Sequence, residues 1–304
     1  MKYYILSDLH IDFYEEYAVK PARHRMADPP EDVTIDTLEY IWNDYFLPEA
    51  DAIILAGDYS NDYLRFSRMV PWIAKKYPEV YLVLGNHDLT CRGATDSKSN
   101  LQFTSSEQKI AKMKEICNAI PNVHFLDGNI VNGIGGCMGM CDFKCEVPAY
   151  GLDAYTAWKR NWYDGKYWRY FRQDPFAIWD YQEQSMMNIV KQKPKIMVTH
   201  FVPYEIGVPF EFRNDPWNYV FYFKGEHFLE EMENDSYWIC GHVHGRRMAE
   251  YVNSKGNVIH IRCNPFGYPH DSGKNFGDVI DYTGERIKRT QVPLTHEDFI
   301  INNI

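Results

Sequence analysis

Short apolar runs that end in polar or ionisable residues recur along most of this chain. Tyr3–Leu6, Ala52–Ala56, Val80–Leu84, Ile196–Thr199 and Tyr237–Cys240 are each brief and nearly unbroken, the pattern of a strand buried on both faces. Between them the apolar spacing turns helical. Phe66, Val70, Ile73 and Tyr77 share one helical face, which Pro71 is expected to break or kink. Thr104 with Glu107 predicts a capping box for a helix carrying Ile110, Met113, Cys117 and Ile120, ended by Pro121. Asp174-Pro175 predicts a further helix start and Lys193-Pro194 its end. Past residue 245 the pattern becomes that of hairpins, with antiparallel strands expected over Met248–Val252, Asn257–Arg262 and Asp278–Tyr282 and a turn at Lys255-Gly256-Asn257. Strands alternating with helices, then strands alone, predict a layered α/β sandwich.

The chain reads as a single domain over residues 1–304 with two stretches set apart. Residues 12–48 join the first two strands through a long, acidic, partly helical connection, expected as an insertion. Residues 145–180 are dense in aromatics, among them Trp158, Trp162, Tyr163, Tyr167, Trp168 and Trp179, with Lys159, Arg160, Arg169 and Arg172 interleaved. This second stretch has two readings: a cap able to stack on an aromatic or nucleobase group, or an ordinary packing subdomain.

Chemistry enters at the strand ends. Asp8 and His10 follow the first predicted strand, and Asp58 the second after Gly57. Asn86, His87 and Asp88 follow the third after Gly85, and His200 follows the fourth. His242 and His244, between Gly241 and Gly245, follow the fifth. Any one of these pieces is unremarkable, since a lone Gly-Asp marks a turn and a lone His after a strand is commonly a loop residue. Their joint occurrence is different, because the carboxyl ends of neighbouring parallel strands share one crevice. Mixed carboxylate and imidazole ligands suit Mn, Fe or Zn better than an all-oxygen Mg or Ca cage.

Asp8-Leu9-His10, Gly57-Asp58, Gly85-Asn86-His87-Asp88, His200 and Gly241-His242-Val243-His244 resemble, in order, the signature blocks of the calcineurin-like metallophosphoesterases. The resemblance implies an α-β-β-α sandwich of two mixed sheets flanked by helices. It implies two divalent metal ions: one on Asp8, His10 and His244, the other on Asn86, His200 and His242, with Asp58 bridging. It further implies hydrolysis of a phosphate ester by a metal-bridging hydroxide, with His87 assisting the leaving group; Asp88, next in sequence, either orients His87 or anchors the loop. Two departures from the family pattern stand out. Asn61 occupies a position three residues past Asp58 where an acid is common, and Leu84 and Asp88 replace the Arg and Glu that flank the Asn-His pair in serine/threonine phosphatases. The second departure favours a phosphodiesterase over a phosphomonoesterase or protein phosphatase. A non-catalytic metal-binding scaffold would be announced by substituted ligands, and none is substituted.

Composition narrows the partners. A net charge of −10 disfavours a nuclease and a long nucleic-acid footprint, leaving a small or medium-sized phosphate ester as the expected substrate. No apolar run is long enough for a membrane span, and Met1–Leu6 stops too soon for an export signal. Seven cysteines, an odd number, fit reduced thiols and a cytoplasmic location. Cys137, Cys141 and Cys145 recur every four residues, match no common zinc spacing, and are expected to be small buried hydrophobes.

Overall fold

Alternate residues along a strand point to opposite faces, and here each face finds its own neighbours. The structure, a computed structural model, describes residues 1–18, 29–44, 47–91, 98–144, 151–169, 176–208, 217–269, 271, 279–280, 298 and 300–302. Its strands are β1 (Lys2–Leu6), β2 (Ala52–Ala56), β3 (Glu79–Val83), β4 (Val123–Phe125), β5 (Asn129–Val131) and β6 (Ile134–Gly136). They continue with β7 (Ile196–Val198), β8 (Ser236–Cys240), β9 (Arg247–Val252), β10 (Val258–Cys263), β11 (Val279–Ile280) and β12 (Ile300–Asn302). One sheet has the order β12-β1-β2-β3-β4 and the other β11-β9-β10-β8-β7-β6-β5. Both are mixed. In the first, β1 to β4 run parallel and β12 pairs antiparallel with β1.

Tyr3, Ile5, Ile54, Tyr81 and Val83 from the first sheet meet Ile134, Ile196, Val198 and Ile239 from the second in one apolar layer between them. The intervening residues, such as Tyr4, Leu6, Ile53, Leu55 and Leu82, face the other way and join a larger cluster with helical residues. Met197, Trp238 and Cys240 of the second sheet do the same on its far side. The result is the expected α-β-β-α sandwich, with two buried apolar layers where the sheets meet helices and one where they meet each other.

Several boundaries differ from the sequence pattern. The helix over Tyr63–Lys76 runs through Pro71 without a break, held by its buried residues Phe66, Met69, Val70, Trp72 and Ile73. Tertiary packing here outweighs the loss of one backbone hydrogen bond. Ser105, not Thr104, caps the helix Ser106–Asn118 and accepts from Gln108 N. Strands β4 to β6 are three residues each, and β6 contains Gly135 and Gly136, so their periodicity is too short and too weak to read. β11 lies within the expected Asp278–Tyr282 run but pairs parallel with β9, because the chain reaches it by a connection too long for a hairpin. The predicted start at Asp174-Pro175 falls outside the described residues, and the following helix is described from Phe176 to Val190.

The described parts of 12–48 are built into the outer helical layer. Helices Ile11–Ala18 and Glu31–Asp44 contribute Ile11, Tyr14, Leu38 and Ile41 to the core, and Trp72 donates to Glu39 at 3.1 Å. Among the described residues no helix is long and apolar enough to cross a membrane. Cys137 and Cys141 are buried as expected, while Cys145 lies outside the described residues.

A buried ion pair ties the helix leaving His10 to the helix that follows Asp62. Arg65 meets Glu15 through two hydrogen bonds of 2.7 Å, with side-chain exposures of 2% and 0%. Removing one partner of such a pair strands a buried charge and costs about 3–5 kcal/mol. Glu15→Ala is therefore expected to lower the unfolding free energy by about that amount in urea titration, and the double change Glu15→Leu/Arg65→Met to recover most of it.

Candidate metal centre

The strand ends deliver their ionisable residues to one place. Ligand atoms of Asp8, His10 and His244 lie within 4.8 Å of one another, as do those of Asp58, His200 and His242. A third group, His10, Asp58 and His87, overlaps both and joins them. Asp58 Oδ2 is the common point, 3.2 Å from His200 Nε2, 3.8 Å from His10 Nε2 and 4.0 Å from His87 Nε2. The backbone bends hard to achieve this. Asp8, His10, Asp58, His242 and His244 have φ of 54°, 41°, 60°, 70° and 47°, a left-handed conformation that is sparsely populated outside glycine and collects at functional sites. The adjacent glycines make room: a Cβ on Gly57 would lie 2.6 Å from His200 Nδ1, and one on Gly241 2.7 Å from Asp8 Oδ2.

The outer atom of each ring settles which inner atom faces the centre. His200 Nδ1 lies 2.7 Å from the Ala56 carbonyl, which can only accept, so Nδ1 carries the hydrogen. In the neutral ring Nε2 is then a lone pair, and it faces Asn86 Oδ1 at 2.9 Å and Asp58 Oδ2. His244 repeats the arrangement. Its Nδ1 donates to Asp271 Oδ2 at 2.8 Å, leaving Nε2 opposite His10 Nε2 at 3.0 Å and near Asp8 Oδ1 at 3.5 Å. His242 donates from Nε2 to the Val220 carbonyl at 3.0 Å and offers Nδ1 inward. Such outward hydrogen bonds orient the rings of metal-ligating histidines.

Acceptors facing acceptors at these distances repel unless a proton or a metal cation stands among them. The acid-base behaviour says the same. Burial opposes charging His200, yet the Asp58 carboxylate overrides it and raises the imidazolium to about 9. His244 is likewise held up to about 10 against burial, by its bonds to Asp271 and Asp8. Burial would raise the Asp58 carboxyl, but the surrounding imidazoles hold it well below the usual range. His242, by contrast, is drawn down to about 3 by burial and by the neighbouring His200, so its lone pair stands ready. The residues present fit divalent cations, with the donor set that suits Mn, Fe or Zn.

His87 projects beside this group on different supports from those expected. Its Nδ1 lies 2.8 Å from Asn61 Oδ1, and the Asn61 amide in turn donates to Asp12 Oδ2 at 3.1 Å. Asp88 turns away from the His87 ring. Its two oxygens accept from the backbone N–H groups of Asp58, Tyr59, Ser60 and Gly85 at 2.7–3.3 Å, binding the loops after β2 and β3 together. A carboxylate with four amides to satisfy has little left for an imidazole. Burial, with the Asp58 charge adding, nonetheless pushes its carboxyl up to about 7.

Other residues at the centre carry no sequence signal. Tyr268 places its hydroxyl 3.3 Å from His87 Nε2 and stacks on His10 with centroids 4.3 Å apart. Asp271 orients His244, and Asp164 accepts from Asn86 Nδ2 at 3.0 Å. Tyr268 and Asp271 lie past the last recognisable motif, and Asp164 lies among aromatics that obscure it. Asn61 alone was marked beforehand, by its departure from the family pattern.

Comparison with known proteins bears on the whole arrangement. Residues 1–246 match the model of the calcineurin-like phosphoesterase family. No curated protein matches the sequence. Among solved structures, the phosphopantetheinyl hydrolase of Mycobacterium tuberculosis superposes with a TM-score of 0.64 at 14% identity, covering 89% of this chain and 90% of that one. That likeness is one of fold. With the family model spanning most of the chain and every strand-end block inside it, this protein belongs to the calcineurin-like phosphoesterases, a family of metal-dependent phosphoester hydrolases.

Proposed function

We propose that the centre hydrolyses a small or medium-sized phosphodiester, with Asp8, His10, Asp58, Asn86, His200, His242 and His244 holding two divalent ions of the Mn, Fe or Zn type. The supporting observation is the convergence of lone-pair nitrogens and oxygens on Asp58 Oδ2 with His87 Nε2 beside them. Ions held there supply Lewis acidity to the phosphoryl oxygens and acidify a water.

The remaining work belongs to the chain. Asn61 holds the Nδ1 hydrogen of His87, so Nε2 is the atom that gains and loses a proton. Nε2 faces the centre and delivers its proton to the departing oxygen, while Tyr268 limits how far the ring can swing. Asp88 acts at one remove, as a positioning residue that shapes the loop from which His87 projects. Tyr163, parallel to His87 at 15° with centroids 5.5 Å apart, offers a face for an aromatic substituent on the substrate.

Charge favours a diester. Asp8, Asp58 and Asp271 gather round the ligand set, joined by Asp164 when it is ionised, its carboxyl being pushed up to about 7 by burial, and they offset much of the positive charge of two divalent ions. A monoanionic diester suits such a site better than a dianionic monoester. The neighbour's activity makes a phosphopantetheinyl ester a substrate to include in the assays. We place this activity in the cytoplasm, a reading supported by six described cysteines that are buried thiols.

His87→Ala is expected to retain both ions in elemental analysis and to lower kcat by about 10²–10⁴-fold. Loss of an ion in that variant would put His87 among the ligands instead. Asp58→Asn is expected to deplete both ions together, since the shared carboxylate serves both groups; retention of either would count against the bridging role. For the Mn-loaded protein, kcat/KM should be higher on bis-p-nitrophenyl phosphate than on p-nitrophenyl phosphate, and the reverse order would make it a monoesterase.

A further inference from the structure

Helices Ala154–Asn161 and Tyr163–Tyr167 belong to the aromatic segment, and so far they have served only as a wall. Their contacts with the loop after β3 say more. Asp164 accepts from the side chain of Asn86 at 3.0 Å, and Trp168 Nε1 donates to the Asn86 carbonyl at 2.8 Å. Asn86 and Asp164 are each only 2% exposed, so water does not compete for these bonds.

A carboxamide has two ends of nearly equal shape and opposite sense, Oδ1 accepting and Nδ2 donating. Nothing in the asparagine itself chooses which end faces the centre. On the inner side Asp58 Oδ2 accepts, and His200 Nε2 accepts whenever its ring is neutral, so the centre alone does not keep the Nδ2 end out. An inward Nδ2 would replace a ligand oxygen with an N–H group, which cannot bind a cation. A carboxylate on the opposite side sets the preference, because when ionised it accepts only; burial pushes the Asp164 carboxyl up to about 7, so it is mostly ionised at pH 8. Asp164 therefore holds Nδ2 outward and leaves Oδ1 aimed at the centre.

We infer that Asp164 is a positioning residue for metal binding, fixing the Asn86 amide with its oxygen inward, so that the aromatic segment is part of the metal centre as well as its wall. The inference rests on the proposed role of Asn86 as a ligand. It needs no motif, which is why Asp164 is invisible in the sequence.

The test is calorimetric titration of metal-free protein with Mn²⁺ at pH 8, with thermal melting to report the fold. Asp164→Asn keeps the size of the side chain and a hydrogen bond to Asn86, but it accepts either amide orientation. It is expected to weaken one of two Mn²⁺ sites about tenfold and to leave the other site and the melting temperature unchanged. Asp164→Ala should weaken the same site by about 10–100-fold. Asn86→Ala is measured alongside and should abolish that site. If Asn86→Ala loses one site while both Asp164 variants bind as the parent does, the positioning role is overturned and the ligand role of Asn86 stands. If Asn86→Ala keeps both sites at parental affinity, the ligand reading fails and takes the inference with it.

Discussion

The arrangement of this protein turns on acceptors brought face to face, which repel unless a proton or a cation lies between them. Asp58 Oδ2, His200 Nε2 and Asn86 Oδ1 converge within 3.2 Å of His200, and His10 and His244 oppose their Nε2 atoms at 3.0 Å. Four groups here are restrained from outside by a hydrogen bond: His200 by the Ala56 carbonyl, His242 by the Val220 carbonyl, His244 by Asp271, and Asn86 by Asp164, while His10 is held by stacking on Tyr268. Asp58 is restrained through its other oxygen, which accepts from His87 N at 2.8 Å. The free energy of folding holds an electron-rich cavity in readiness for cations, and cation binding returns stability to the fold by mass action.

The backbone restraints have the same origin. Five ligand candidates adopt left-handed φ, each at a cost of about 1–3 kcal/mol outside glycine, and all sit beyond strands that are buried except at Lys2 and Tyr237. The strands supply the rigidity that makes the bends possible. Asp88 then closes the arrangement by accepting four amides from the two loops that carry Asp58 and His87. Its loss would loosen the site without touching substrate, a role quite unlike a partner for the imidazole.

How much of this is legible in sequence depends on whether the information is local. Strands β1, β2, β3, β7 and β8 announce themselves by unbroken apolar runs, and the ligands directly after them by type and place. β4 to β6 do not, because three residues carry no period and β6 adds paired glycines, and β12 does not, because its pairing with β1 spans nearly the whole chain. At the site, Asp8, His10, Asp58, Asn86, His87, His200, His242 and His244 follow from the pattern of strand ends. Asp164, Tyr268 and Asp271 do not, since orienting a ring or an amide demands only an acceptor at the right point in space. Asp88 shows the opposite limit. Its adjacency to His87 in sequence allows either a contact with the ring or a loop anchor, and its bonds to four backbone amides are those of an anchor.

The same non-locality bears on how the centre forms. His10 and His244 face each other across a separation of 234 residues, and His200 meets Asn86 across 114. Neither the Asp8, His10 and His244 group nor the Asp58, His200 and His242 group lies on one sheet, because the first sheet brings Asp8, His10, Asp58 and Asn86 while the second brings His200, His242 and His244. The candidate ligands of these two groups come together only where the sheets pack on their shared apolar layer. Burial of Ile54, Val83, Ile196 and Ile239 offsets the cost of gathering these polar groups at the strand ends. Because the groups draw on both sheets, a cation held among them would stabilise the packed sandwich by mass action.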